Sequence, residues 1–474
     1  MNRAEAVTAA VAAHRFGLGE ASLDAVGADA SGWLMAQIGP ADAARGAALV
    51  SSAEALRAHA DFVRTRRARR DMASAPAVAQ DMRSGEQQFG DFFRPLVVAD
   101  LRARLGTAAT TRRPFAERLA LFWSNHFTVS MAKASVRGLV GPFEREAIRP
   151  HIAGNFETLL KAAVTHPAML RYLDNDLSAG PNSALVRRLA RQPRPEGVAG
   201  QPGLRIAGLN ENLAREVLEL HTLGVGGGYG QADVTAFAAV LTGWRVPRQL
   251  LAEGDAGTRF DAPWHEPGPK NLLGRRYAEG PQALDVVLRD LVQHPSTARF
   301  VATKLARHFV ADEPPPALVD QLAQTFQTTR GDLPSMYRAL IAHPLAWAPA
   351  PAKLKTPEEF VIGSARLLGL GEQAFVRQPD GGSTLLGQRV QTAPSPAGWP
   401  DRAEDWLGPD AVWKRVEWAT RLAQVAGRHV DARTLAEASL GPRLSAGTAR
   451  ELERAADGPQ ALALLLLSPE FQRR

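Results

Sequence analysis

Apolar residues along this 474-residue chain recur mainly at helical spacing, while strand-like alternation is scarce and β-branched clusters are few. The stretch from Phe115 to Phe127 shows the pattern. At about 100° per residue, Phe115, Leu119, Phe122, Trp123 and His126 share one stripe, with Glu117 and Ser124 opposite. The same spacing predicts helices near 155–173, 211–223, 231–244, 281–310, 316–329, 356–369, 410–426 and 447–467. Three stretches break it. Residues 178–208 are crowded with Gly, Pro and Arg and read as a long exposed loop with one helical turn near Ala184–Ala190. In 246–280, Phe260 and Tyr277 flank a polar, Gly/Pro-rich run suited to a short hairpin, and 371–407 is again rich in Gly and Pro. The pattern therefore predicts an all-α fold, a large irregular multi-helix domain with a small β-hairpin near 258–278. Any division sets an N-terminal helical cap, 1–110, against a core of 111–474, the two packed as one unit.

A local signal recurs inside the helical pattern. Apolar helix ends run into His-Pro at His166-Pro167, His294-Pro295 and His343-Pro344, with Ser468-Pro469 a near relative. Pro suits the first turn of a helix and disfavours helix in the residue before it. These three histidines are therefore expected to cap helix junctions rather than to bind ligands.

Composition narrows the chemistry. Apolar residues at 45% and charged residues at 22% argue against a disordered chain. The absence of cysteine excludes disulfides, thiolate metal centres, iron–sulfur clusters and thiol nucleophiles. Any site must be built on His, carboxylates, Ser, Lys, Arg or Tyr. The net charge of +7 changes less than it suggests: only seven of the 56 basic residues are Lys, so the chain is arginine-rich throughout. The densest run, Arg64 to Arg70, reads as a solvated helix face, and nucleic acid is not the favoured partner. No secretory signal is visible, and the apolar run Ala461–Leu467 is far below the roughly 20 residues of a membrane span. The expectation is a cytoplasmic chain without a membrane span.

The most distinctive run is Asn210 to Gly224, with Glu211, Glu216, Glu219 and His221, followed by a Gly-rich loop to Gln231 and then Asp233. In a regular helix Glu211, Arg215 and Glu219 form a ladder of ion pairs, while His221 lies about 160° from Glu219, on the apolar side. These two cannot chelate one ion, and the spacing is not that of a His-Glu-x-x-His zinc helix. The Gly-rich loop lacks the Gly-Lys-Ser/Thr of a phosphate-binding loop and reads as a tight helix–helix turn. His126 and His221 both lie toward the apolar side of their helices. Each is read either as a buried core histidine or as half of a polar pocket, with Glu216, Asn125 and Asp233 as partners. In that second reading His126, His221, Glu216 and His265 carry acid/base catalysis. His126, His221, Glu216 and Asp233 are then the candidate ligands of a divalent metal. A further candidate set, His265, Glu266 and Lys270, lies in the irregular 246–280 stretch. Phe300, Lys304 and His308 stack at i, i+4, i+8; there the lysine is expected to snorkel or pair with a carboxylate, and a reactive amine is the lesser alternative.

Taken together, Phe122-Trp-Ser-Asn-His-Phe127, Asn210–Gly224, Leu241-Thr-Gly-Trp244, the His265/Gly268/Lys270/Gly274 block, His294–Phe300 with Lys304, Phe309 and Asp312, Lys353-Leu-Lys-Thr-Pro357, Gly398-Trp-Pro400 and Ser468–Gln472 carry a resemblance. The chain resembles a bacterial family known only as domain of unknown function 1800. The resemblance covers nearly the whole chain and implies a predominantly α-helical fold and no established activity. The family pattern often has a second His where this chain has Ser124, an Asp at Gly226 and a Thr at Gly230. Members are often encoded beside a sulfatase-like protein, and many are exported. Two functions are thus expected: a metal- or acid/base-dependent enzyme with a His/carboxylate pocket, or a non-catalytic binding or scaffold partner of a sulfatase-like protein.

Overall fold

The computed structural model describes residues 1–47, 49–72, 85–191, 208–246 and 257–474. Among these, the chain forms 21 α-helices joined by 3-10 and π turns, with two sheets of two short strands each. The all-α expectation holds. Most of the arginine run near residue 70 and the loop over 192–207 fall on side chains or residues outside the described set. The helical turn near Ala184 is present as Ala184–Ala190.

The His-Pro pairs do what their chemistry requires. The stretch 155–173 is two helices, Phe156–Thr165 and Pro167–Tyr172, and 281–310 is likewise Gln282–Gln293 and Pro295–Phe309. At each junction the His Nδ1 accepts the backbone N–H two residues on: Ala168 at 3.1 Å, Ser296 at 3.2 Å and, after His343, Leu345 at 3.1 Å. A side chain thus satisfies an amide that the first turn leaves without a partner. Ser468 accepts from Phe471 in the same way.

The small hairpin expected near 258–278 is present at 270–277, with Phe260 outside it. Phe260 does not pair toward Tyr277. Strand β1, Trp244–Arg245, pairs with β2, Arg259–Phe260, and strand β3, Lys270–Leu272, pairs with β4, Arg275–Tyr277. Leu273 and Gly274 join the second pair with φ of 50° and 73°, the two left-handed residues a tight hairpin turn demands. Phe260 instead faces Trp244 across its own pair.

Two apolar clusters make the core. The larger one gathers Phe16, Phe115, Trp123, Phe127, Phe156, Phe309 and Tyr337, so N-terminal residues pack with the body of the chain. Within it Trp123 Nε1 donates to the Tyr337 hydroxyl at 2.7 Å, which donates to the Ile152 carbonyl at 2.6 Å. The smaller cluster holds Leu105, Phe360, Ala419, Leu462 and Phe471. The helix Pro114–His126 contributes to both through Phe115 and Leu121, and is buried nearly all round. Its polar face is therefore not solvated as an amphipathic pattern implies. Glu117 and Arg118, 1% and 2% exposed, start two buried chains of alternating charge. One runs Glu117–Arg149–Glu144–Arg104–Glu358. The other runs Arg118–Glu359–Arg474–Asp401. Both therefore reach from the Pro114 helix to adjacent residues of the helix Pro357–Leu367.

Burial alone would raise the Glu359 pKa, but the guanidiniums of Arg474 and Arg118 hold it far below the carboxylate range. A depressed folded pKa stabilises the fold above the ordinary carboxylate pKa, and that stability is lost as pH falls toward the folded value. Glu359→Gln leaves two buried guanidiniums without their anion. It is expected to cost about 3–5 kcal/mol in urea unfolding at pH 7, with the difference from the parent chain shrinking as pH is lowered below about 4. A variant as stable as the parent at pH 7 would show that this ion pairing is not a support of the fold.

Candidate functional site

The charged chains end at a cavity of about 340 Å³. Its walls include the Pro114–His126 helix, the C-terminal half of the Pro295–Phe309 helix and the loop around 388–405, with Arg104, Val140, Glu144 and the start of the Pro357–Leu367 helix closing it. Three titratable side chains from these walls lack full protein partners.

The first is His308. Its Nδ1 lies 3.2 Å from Asp401 Oδ2, and its Nε2 is buried with no hydrogen-bond partner. A carboxylate can only accept, so Nδ1 carries the proton and Nε2 presents a bare lone pair. Burial lowers the His308 pKa against the opposing pull of Asp401, so the ring is neutral near pH 7. Asp401 stays ionised: burial would raise its pKa, and His308, Lys353 and Arg474 overcome it. Lys353, fully buried, bonds Asp312 Oδ1 at 2.6 Å and the Asp401 backbone carbonyl, and so fixes the loop that carries the carboxylate.

The second is Lys304, one helical turn before His308 on the same helix. Among the described residues its Nζ has no hydrogen bond and no ion pair, and its near neighbour is the Phe300 ring, 5.5 Å away. Burial lowers its pKa to about 8, with Arg307 adding to the shift and Asp401 opposing it.

The third is His126. Its Nε2 donates to the His221 carbonyl at 3.1 Å, which leaves Nδ1 as a buried lone pair without a partner. The two imidazole centroids are 6.1 Å apart. Both pKa values fall, His221 to about 3, first through burial and then through the charge of Lys304. The run Val217–Thr222, expected as regular helix, is a π-helix. Each π turn takes up more residues than an α turn, which changes the direction His221 faces, and such segments are frequent at functional sites. Ser124, opposite His126 on the helix, also lines the cavity, and its hydroxyl is buried without a partner.

Asn125 explains how the walls register. Its Nδ2 donates to the Trp399 carbonyl at 2.8 Å and its Oδ1 accepts the Trp399 N–H at 2.8 Å, a pair of bonds that mimics strand pairing. Gly398 makes this approach possible. Its φ is 87°, and a Cβ there would sit 2.6 Å from the Asn125 carbonyl oxygen. The Phe122–Phe127 and Gly398–Pro400 motifs are thus two halves of one joint, and Asp401 follows directly from it.

The remaining expected site residues lie elsewhere. Glu216 is half-buried near Glu219 and away from the cavity lining; burial and Glu219 raise its pKa. Asp233 is spent on structure: Oδ2 accepts Gly230 N–H at 2.8 Å and Oδ1 the Leu273 N–H at 2.7 Å, so it holds the β3–β4 turn. His265 gives Nδ1–H to the Thr242 carbonyl at 2.7 Å, with Lys270 Nζ 3.2 Å from its Nε2. Glu266 bonds Asn182 at 2.7 Å. His265, Glu266 and Lys270 do cluster, as a brace between the sheet and the Ala184 helix. In the Glu211–Arg215–Glu219 ladder, Arg215 bonds Glu211 at 3.1 Å, and Glu211 also takes Gln231 and Thr235. Among the described residues no three His, Asp or Glu side chains are grouped to hold a metal ion. No described helix is long and apolar enough to cross a membrane.

Comparison with known proteins yields one match. The profile of a family described as "Protein of unknown function (DUF1800)" matches residues 11–473. No curated protein and no solved structure matches this chain.

The Asp401–His308 geometry has a spectroscopic consequence. In the parent protein the imidazole nitrogens of His308 should report the Nδ1–H tautomer at pH 7. Asp401→Asn removes the anion that raises the His308 pKa, so that pKa should fall further, and the tautomer should become mixed in imidazole nitrogen NMR. An unchanged tautomer would mean that Asp401 does not orient the ring.

Proposed function

Because the chain belongs to the DUF1800 family of proteins of unknown function, we propose its activity from its own side chains: an acid/base enzyme acting in the cavity, with His308 as general base and Asp401 as the group that orients it. The observation that carries this reading is the buried, unpartnered Nε2 of His308 behind an Asp401 hydrogen bond. A neutral imidazole held in one tautomer, with an unpartnered nitrogen on a residue that lines a cavity, is suited to proton abstraction from a bound molecule. Lys304 adds an amine and His126 a second unpartnered imidazole nitrogen among the residues lining the cavity. The cavity size suits a small molecule. The reading keeps His126 from the sequence-derived set, with His221 as the residue whose carbonyl orients it, and moves the acid/base role from Glu216 and His265 to His308 and Asp401.

The test is a substrate panel of chromogenic carboxylate, phosphate and sulfate esters and glycosides, with solvent deuterium incorporation into small carbonyl compounds, run on the parent chain and His308→Gln. Turnover by the parent should fall by about 10²–10⁴ in the variant. Since burial holds the His308 pKa below its ordinary value of 6.5, activity should persist to lower pH than an exposed histidine allows. Equal turnover by both proteins would remove His308 as the base. Turnover of no substrate by either protein would favour the competing role of a non-catalytic partner for a sulfatase-like protein.

A further inference from the structure

The seven lysines are not alike. Lys133, Lys161, Lys353 and Lys414 each pair with a carboxylate, and Lys270 donates to the Glu266 carbonyl. Lys355 has no hydrogen bond, but it is 1% exposed, lies 3.7 Å from the centre of the Phe471 ring and is not part of the cavity wall. Lys304 alone among them combines a place in the cavity wall with an Nζ that has no protein partner among the described residues. Lys304 is half-buried, so its amine is open to a molecule in the cavity. The carboxylate electrostatically closest to the purpose, Asp401, is committed to His308 and Lys353.

We infer that Lys304 is a covalent anchor, whose amine condenses with the carbonyl carbon of an aldehyde or ketone held in the cavity to form an imine. This inference rests on the acid/base reading, because it uses His308 as the proton carrier. The Nζ lone pair forms the new C–N bond while the carbonyl π electrons move to oxygen. His308 Nε2 takes a proton from the nitrogen. His308 passes this proton to the oxyanion to give a neutral carbinolamine, then carries the second N–H proton to its hydroxyl, so that the C–O bond breaks with water leaving as the C=N bond forms. Amine and carbonyl give imine and one water, with no oxidant or reductant.

Three observations support the step. Lys304 and His308 are four residues apart on one helix, so their side chains emerge one turn apart on the same face. Burial brings the amine pKa to about 8, so a useful fraction is the neutral nucleophile near pH 7, where an exposed lysine is almost wholly protonated. Arg307, also in the cavity wall, donates among the described residues only its Nε–H, to the Asp312 carbonyl at 3.1 Å. The rest of its planar fork is open to a carboxylate on the ligand. The ligand class is accordingly an oxo acid or another anionic carbonyl compound.

Glyoxylate with cyanoborohydride is the direct probe, since reduction converts any imine into a stable carboxymethyl-lysine readable by peptide mass spectrometry. At pH 7 the folded chain should acquire the label at Lys304 at least ~10-fold faster than at the exposed Lys161 and Lys414. That rate should rise with pH and level off above about 8, and His308→Gln should slow it by roughly 10-fold. Lys304→Met, checked for folding by circular dichroism, should lose the fast label and leave the slow ones. Labelling of Lys304 no faster than of Lys161 and Lys414 in the folded parent would overturn the inference. If His308→Gln still abolished turnover in that case, the acid/base reading would stand and only the covalent step would fall.

Discussion

The burial of Glu359 with Arg118 and Arg474 is the constraint on which the rest of this structure depends. Removing three charges from water is expensive, and the expense is offset only if every charge keeps its partners in good geometry. Satisfying Glu359 fixes the Pro114 helix against the Pro357 helix. It also fixes Arg474 against both, and through Arg474 and Lys353 it fixes the loop that carries Asp401. The parallel chain from Glu117 to Glu358 repeats the tie one residue earlier on each helix. Two such ties resist sliding and rotation of the helices together, which a purely apolar contact tolerates better.

The cavity follows from that rigidity. Its polar groups face inward because the helix bearing them has no solvent side, and the unpaired atoms of His126, Ser124 and His308 are held among walls that leave them nowhere to rotate for relief. A loosely packed site would let these side chains find partners. Here the surrounding ion pairs engage Glu144, Glu358, Glu359 and Asp401, and Lys304 is left without a carboxylate partner among the described residues. Preorganisation of this kind is what makes small polar clusters chemically competent.

Much of the fold was legible from residue spacing. Helical periodicity located most of the elements, and the His-Pro pairs marked the junctions and even the capping role of the imidazoles, because both depend on local backbone rules. The site was only half legible. His126 and His221 do come together, with 6.1 Å between rings. Glu216, Asp233 and His265 do not join them, since proximity in sequence to a glycine loop says nothing about convergence. His308 and Asp401 are 93 positions apart, and Asp401 sits in a stretch with no periodicity to read. Lys304 showed in the i, i+4, i+8 stack, but the spacing could not show that it is half-buried in a cavity wall without a carboxylate partner among the described residues. Glu117 misled most directly: a charged residue opposite the apolar stripe of a helix signals solvent, unless further chain covers that side. The π turn at 217–222 was invisible because it alters hydrogen-bond spacing without altering apolar pattern.

The joint between Asn125 and Trp399 carries a consequence for how the protein is made. The two residues are separated by 274 positions, and Arg118 and Glu359 by 241. A nascent chain emerging from the ribosome can form the Pro114 helix early, but that helix then waits, with its buried charges still hydrated, for partners synthesised hundreds of residues later. Closing such distant pairs comes late and against chain entropy. The half-made protein therefore presents an unfinished, charged and apolar face for most of its synthesis, and it is during that interval, rather than in the finished fold, that it has most need of a chaperone.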